Sequence, residues 1–512
     1  MALQRLARYG PKVPSHLSGG GDRVRHCGSL FRNWEAPQVP QPQPFAVCLG
    51  SPEGTRLRTA SAGLRHLPQD IHRQQTVEAF RQRSLRMFSS GNLPSVFTLQ
   101  EIKEVPITTC LMTKWVLDKI GADSDTLQCF IPANTKKSTD AHSRSFFEGW
   151  IQARIGFACR PSQALRDAFR RAYDDRLLRW GRLLEVLDCF AGDIAYHYCT
   201  PEEEGYSKLT TLMVTASIEH MEFSDAPDGH TTEDRVVRGL SVEEDLTLIG
   251  CVTQSGSSSV GIRIEMQQNN EVKGSVSFVM VAVDATGKPV KKVPRLDDSS
   301  CSPELRSLIA SSASGFVARK ANAGKMFSLV PPEPEESVFL HDVWKKSLIG
   351  RENIVWMRDT KLASAELIQP EALSRYNRAF GGLVSRKALE LSFLNAQCFL
   401  KTVRPVLKGV DDIFFLQPLF VGEMTMMVST VVWSQADEVQ IQVEAFRVDP
   451  VSGDRKKTNI FHFRYDTLID EKDTWRRKIP PKVFPSDYAD YISFLEARRR
   501  YFLRRGKNEL EV

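Results

Sequence analysis

The chain contains no run of about 18 apolar residues, the length a membrane-crossing helix needs. Its longest apolar stretches, such as Val276–Val283, are strand-length, so a soluble protein with no membrane span is expected. Cys-x-x-Cys pairs are also missing. The ten cysteines are scattered, without the close Cys/His spacing of a zinc site, so neither structural zinc nor a disulfide framework is indicated. Several of them sit in apolar runs and read as buried thiols. Nor is there an excess of charge over the body of the chain. Of the net +6, residues 1–100 supply +8, from 13 basic and 5 acidic residues, which leaves −2 for the remainder. The basic balance is therefore no argument for nucleic-acid binding.

What is present is ordinary globular composition, 42% apolar and 25% charged over 512 residues, with room for two or three domains. The first 34 residues hold Arg5, Arg8, Lys12, Arg23, Arg25 and Arg32 against Asp22 alone. Arg-rich, Ser-containing and acid-poor, with no apolar h-region, is the pattern of an organelle presequence and not of a secretory signal. Residues 35–55 are Pro-rich and read as extended. A second basic stretch, Arg81–Phe88, closes with Arg86-Met87-Phe88 ahead of Ser89-Ser90, in the manner of a processing site. The expected address is the mitochondrial matrix; composition does not separate this from a plastid, and the bland alternative is a basic tail with no address.

Beyond it one plan is written twice, about 200 residues apart, which is the scale of domain duplication and not of a solenoid. In the first copy a strand over Gly149–Phe157 precedes a helix over Arg179–Tyr198. Strand-like runs follow at Leu209–Phe223, Asp245–Val252, Val260–Met266 and Val272–Asp284. In the second, Leu362–Ile368 precedes a helix over Phe380–Leu400, with strands at Val403–Phe415, Glu423–Trp433, Val439–Val448 and Thr458–Tyr465. Trp180-Gly181-Arg182 aligns with Phe380-Gly381-Gly382, and Ile218–Phe223 with Val410–Phe415. The division is 1–88 presequence, 89–137 helical N-terminal extension, 138–286 first repeat, 287–347 linker, 348–470 second repeat, 471–512 helical tail. The arginines at 498–500 and 504–505 read as a solvated helix face. The pattern alone gives a duplicated α+β fold.

Asp188 shares a helix face with Leu184, Leu187, Ala191 and Ala195. A carboxylate on an apolar stripe is costly unless it is paired or used; catalysis and capping of a neighbouring loop are the two readings. Glu185 and Asp193 fall elsewhere on the helix and read as bland.

Several stretches resemble mitochondrial acyl-CoA thioesterases of the double hot-dog family: Arg182–Asp188, Ser277–Ala282, Arg378–Leu391, Val410–Phe414 and Thr458–Phe463, in order across about residues 140–470. The resemblance implies two hot-dog repeats, each a long central helix wrapped by a curved antiparallel sheet. It also implies hydrolysis of acyl-CoA to fatty acid and CoA between the repeats, without cofactor or metal. Further assembly into a homo-oligomer of such units is an analogy with the fold.

Thioester hydrolysis needs an activated nucleophile and donors aimed at the carbonyl oxygen. Asp188 is then the general base or nucleophile, and the helix start at Gly381 and Gly382 the carbonyl polariser, although close helix–sheet packing would equally explain two glycines. Ala388, opposite Asp188 in the alignment, cannot act as a base, so the reciprocal site is expected to be dead; Glu390, two positions on, points about 200° away. The family commonly carries an Asn six residues before the aromatic of the glycine pair. Here that position is Ser374, with Asn377 three residues closer, so one of these takes the amide's place at some cost in rate. CoA phosphates suggest a basic rim, for which Arg378, Arg386, Lys387, Arg358 and Lys361 are candidates beside the alternative of ordinary solvated charge. Dehydration of hydroxyacyl thioesters, or hydrolysis on an acyl-carrier protein, would need a site histidine, and His197, His220 and His462 do not fall at a helix start. The remaining rival is a weak or inactive acyl-CoA-binding protein on the same scaffold.

Overall fold

A computed structural model describes residues 101–133, 142–158, 163–173, 176–200, 212–223, 239–312, 331–348, 353–372, 378–435, 437–471 and 474–505. The presequence expected over 1–88, and the Ser374 and Asn377 positions, lie outside the described residues. No helix among the described residues is long and apolar enough to cross a membrane.

The first repeat runs β1 (Trp150–Ile155), α1 (Trp180–Cys199), β2 (Leu212–Phe223), β3 (Leu246–Ser255), β4 (Ser259–Gln268) and β5 (Glu271–Val283). The second runs β6 (Leu362–Leu367), α2 (Gly381–Leu400), β7 (Leu407–Val410), β8 (Ile413–Phe415), β9 (Met424–Gln435), β10 (Glu438–Val448) and β11 (Arg455–Tyr465). Within each repeat the strand order is the same: β1-β3-β4-β5-β2 in one, and β6-β9-β10-β11-β7 in the other. All pairs are antiparallel. One long helix against such a sheet, twice over, is a double hot-dog.

Local chemistry fixes the turns. α1 has no internal proline and ends at Thr200, because the following Pro201 disfavours helix at the residue before it. α2 ends differently, on Lys401 in the left-handed region (φ 54°), whose N–H donates to the carbonyl of Gln397. Asn269 and Asn270, both at positive φ, make the tight hairpin between β4 and β5.

The two sheets join edge to edge through β2 with β7 and β8, forming one thirteen-stranded sheet with two strands of the N-terminal segment. The seam has the register of a pseudo-two-fold axis. Ile218 faces Ile413 and Met221 faces Val410; in the internal alignment Ile218 is equivalent to Val410 and Met221 to Ile413. Each residue thus meets its counterpart's partner, the reciprocity of an isologous interface. The break at Asp411-Asp412 splits into β7 and β8 what the sequence reads as one strand over Val403–Phe415.

Three elements differ from expectation. The N-terminal extension is not simply helical: Ile102–Val105 and Leu127–Pro132 add two strands beyond β1, and a helix over Leu111–Asp118 lies on α1. The linker contains a helix over Pro334–Leu348. The C-terminal helix α3 (Tyr488–Arg505) is not solvated along its arginines. Arg498 is buried between the rings of Phe339 and Phe502. Arg499 forks onto Glu336, Arg504 reaches Asp411 at 2.7 Å and also Glu438, and Arg505 pairs with Asp437. The carboxylates that neutralise this run lie in distant segments, so nothing in its own sequence reveals the pairing.

Candidate active site

α1 and α2 face each other across the pseudo-two-fold, and each helix start approaches the middle of its partner. Asp188, two turns into α1, is 3% exposed. Its Oδ2 accepts the amide N–H of Gly382 at 2.8 Å, and its Oδ1 accepts the hydroxyl of Thr215 on β2 at 2.6 Å. The first amides of a helix have no carbonyl partner within it, and the dipole there favours negative charge. Gly382 thus offers Asp188 both a donor and a favourable potential.

Only bare backbone permits this approach. A Cβ on Gly382 would lie 2.9 Å from Cα of Glu185 and 2.7 Å from the Phe380 ring. One on Gly381 would lie 3.3 Å from Oδ2 of Asp188 and 3.2 Å from Phe415. Close packing and amide presentation, the two explanations for the glycine pair, coincide here. Burial pushes the Asp188 carboxyl up to about 6. The Thr215 and Gly382 hydrogen bonds oppose that rise, and repulsion from Glu185 adds to it. A carboxyl poised near neutrality suits general-base work.

The helix's other two acids are not bland. Glu185 is buried and pairs with Arg182 at 2.7 Å and with Nε of Arg386 at 3.0 Å. Asp193 accepts the amides of Met112 and Thr113 and the Thr113 hydroxyl at 2.7–2.9 Å. It caps the Leu111–Asp118 helix from outside, a structural role, although burial pushes its carboxyl up to about 7.

At the mirror position Ala388 is fully buried and Arg182 stands where the first site has Gly382. The space beside Gly181 is filled by Arg386 and Glu390, whose Cγ and Oε1 would lie 2.9 and 3.1 Å from a Cβ there. Glu390 pairs with Arg179 across the helices. Ion pairs thus fill what the other side leaves as a carboxylate facing a helix start.

Arg386, Lys387, Lys361 and Arg358, considered for a phosphate rim, have acidic partners. Arg386 is turned inward onto Glu185, a correction to its place on a rim, and its guanidinium loses basicity chiefly through burial. Lys387 pairs with Glu366 at 3.1 Å, Lys361 with Asp490 at 3.5 Å, and Arg358 lies 3.7 Å from Asp359. Arg378 lies against the turn at Gly287 of the first repeat. His462 is buried in β11, held down to about 3 chiefly by desolvation, and bonded through Nδ1 to the carbonyl of Asp412. The sequence reading missed Thr215, for an isolated threonine in a strand carries no signal until the strand is placed beside α1. A separate cleft of about 990 Å³, lined by Glu366, Gly422, Arg447 and Asp454 among others, opens at the β6 edge and shares none of the residues around Asp188.

Two repeats with the same strand order and a two-fold seam define the class: a double hot-dog protein. No protein-family model matches the chain. It is 28% identical over 430 residues to acyl-coenzyme A thioesterase 9, mitochondrial, of Bos taurus, covering 80% of this chain and 90% of that protein. The Homo sapiens protein of the same name is 28% identical over 339 residues, 63% of this chain and 71% of the relative. Acyl-coenzyme A thioesterase 2, chloroplastic, of Humulus lupulus is 26% identical over 336 residues, 60% and 71% of the two chains. Among solved structures, a putative oleoyl thioesterase from Lactobacillus plantarum is 11% identical, covering 58% of this chain and 90% of its own at a TM-score of 0.36. The chain is thus similar, at moderate identity, to the mitochondrial type-9 acyl-coenzyme A thioesterases and has the fold of a double hot-dog protein.

Proposed function

We propose that this protein hydrolyses acyl-CoA thioesters to free fatty acid and CoA at a single site between its repeats. The observation that carries this is Asp188, buried at a helix start of the other repeat and poised near 6, in a chain whose relatives are named acyl-coenzyme A thioesterases. In the ionised form Asp188 takes a proton from water as that water attacks the thioester carbonyl carbon. The tetrahedral intermediate then breaks its C–S bond, and the departing thiolate recovers a proton. Direct attack by Asp188, giving an anhydride that water opens, balances equally well.

The Gly382 amide is engaged with Asp188, so it orients the base as well as presenting a positive helix end. The Gly381 amide, first in the helix, is the donor assigned to the developing oxyanion. Thr215 fixes the second carboxylate oxygen. Ser374 or Asn377 supplies the polar group that the related proteins carry as an asparagine before the glycine pair. The arginine-rich start of the chain fits the organelle addresses, mitochondrial and chloroplastic, in the relatives' names, and the mitochondrial matrix is the location proposed here. Double hot-dog units are also proposed to assemble further into a homo-oligomer.

The test is thiol release from short, medium and long acyl-CoA by the chain starting at Ser89, beside Asp188→Asn, Ser374→Ala and Asn377→Ala. Loss of turnover in Asp188→Asn supports the hydrolase. Binding of acyl-CoA without thiol release by the unmutated chain would instead make it a carrier on the same scaffold.

A further inference from the structure

We infer that the N-terminal segment completes the active site, with Trp115 as a positioning residue that seats Phe380 and so fixes the start of α2 against Asp188. The inference rests on the hydrolase reading above and adds to its site a residue from outside both repeats.

The Leu111–Asp118 helix is tied to α1 before it reaches α2. Asp193, five residues after Asp188 on α1, holds the Met112 and Thr113 amides and the Thr113 hydroxyl. Thr113, Val116 and Leu117 are buried and fix one face of the helix. Trp115 reaches across to the second repeat. Its ring meets the Phe380 ring edge-on, with centroids 5.5 Å apart and planes at 85°, the arrangement in which the positive edge of one ring sits on the negative face of the other.

Phe380 is the residue on which the helix start depends. It stands as N-cap of α2 without a side-chain hydrogen bond of its own, and its amide donates to the Ala372 carbonyl at 2.9 Å. Its ring lies over Gly382, 2.7 Å from where a Cβ would stand, and the Gly382 amide donates to Asp188. A tilt of the Phe380 ring would therefore move the donor that holds the base. The contacts close into a circuit that leaves α1 at Asp188, passes through Gly382, Phe380 and Trp115, and returns to α1 at Asp193.

Lys119 adds a second hold. Its Nζ stands 3.8 Å from the centre of the Trp115 ring, where a cation favours the ring face, and donates to the carbonyl of Glu371. Trp115 and Lys119 thus grip Phe380 and Glu371, the two flanks of the stretch that carries Ser374 and Asn377. On the mirror side Trp180 takes the place of Phe380 and is met by the Arg171 guanidinium of its own repeat, 5.2 Å from the ring centre. Among the described residues, the ring contact from the N-terminal segment is thus made where the carboxylate is, and not where Ala388 stands.

The experiment compares Trp115→Ala and Trp115→Phe with Leu117→Ala, which removes a buried side chain from the same helix and leaves the Trp115 ring. Two quantities are read in the full chain: kcat and KM for thiol release from acyl-CoA, and the titration midpoint of Asp188 by carboxyl carbon NMR, assigned with Asp188→Asn. Trp115→Ala is expected to lower kcat about tenfold with KM within a few-fold. It should also raise the midpoint by about half a pH unit or more, because a weakened Gly382 bond favours the carboxylate less. Trp115→Phe keeps an aromatic ring and should restore most of both. Leu117→Ala should lower Tm yet leave kcat and the midpoint as in the unmutated chain. If Trp115→Ala does not fold, Trp115→Leu, which keeps apolar bulk without the ring, is read in its place. No change in kcat or midpoint on loss of the ring, or equal changes in Leu117→Ala, overturns the positioning role while leaving the hydrolase intact. If the unmutated chain releases no thiol from any acyl-CoA, the hydrolase reading fails and the midpoint alone decides. The positioning role then stands if loss of the ring raises the midpoint and Leu117→Ala does not, and falls otherwise.

Discussion

The two central helices descend from one plan yet end in different chemistry. α1 is buried nearly all round, because the Leu111–Asp118 helix covers its outer side: Met112 fills the space beside Gly192, and Asp193 caps the covering helix. α2 leaves Leu394 and Cys398 exposed. At the helix starts the asymmetry reverses its meaning. Where α2 begins, two glycines admit a carboxylate from α1; where α1 begins, Arg182 and the Arg386–Glu390 side chains occupy the corresponding space. One repeat gives the acid and the other gives the amide, the asymmetry on which the proposal of one site instead of two rests. Burial is what gives the surviving carboxylate its raised proton affinity.

The sharpest way to break the comparison is Asp188→Asn, which preserves shape and removes the base. Turnover of acyl-CoA should fall on the order of 10³-fold, since one group serves as base and focus of the site, while acyl-CoA affinity stays within a few-fold. Next is the glycine pair against its mirror. Gly382→Ala sets a methyl against the α1 backbone and the Phe380 ring, so activity should drop about 10²-fold with a lowered Tm. Gly181→Ala meets only flexible side chains and should cost a few-fold at most.

Thr215→Val removes the hydroxyl that favours the carboxylate, so turnover at pH 7 should fall about tenfold and the acid limb of the pH profile should move upward. In the unmutated chain that limb is expected near 6, with activity lost as pH falls. The folded carboxyl holds its proton more tightly than the unfolded one. This group therefore disfavours the folded state fully above about 6 and ceases to do so below the ordinary carboxylate range. An acid loss of activity without a loss of Tm would match that sign. The smallest effect on rate belongs to Ala388→Asp. It should add no turnover, because Arg182 replaces the glycine amide, and should cost about 1–3 kcal/mol of stability for a carboxylate buried without donors, read by thermal unfolding.

The duplication, both central helices and most strands were legible because apolar periodicity is written locally. The alignment of Ile218–Phe223 with Val410–Phe415 even marked the seam. The lone carboxylate on the apolar stripe of α1 and the two glycines of α2 could be read for the same reason. What could not be read depends on partners distant in sequence. Thr215 needs β2 beside α1; Glu185 and Asp193 need Arg386 and the Met112–Thr113 amides. The arginines of α3 need Asp411, Glu438 and Glu336. The N-terminal strands were missed because four or six residues of mixed polarity look like any loop until an open sheet edge receives them.

The seam between the repeats also bears on how the chain is made. Ile218 and Ile413 are 195 positions apart, so β2 has no strand on one side until the second repeat has been synthesised. Contacts this distant in sequence slow folding, and in the meantime an unpaired apolar strand is a template for association with other chains. A chain stopped after the first repeat would present that edge permanently. Such fragments are expected to dimerise through β2 or to require chaperones, so the duplicated gene stabilises a half that could not remain monomeric alone.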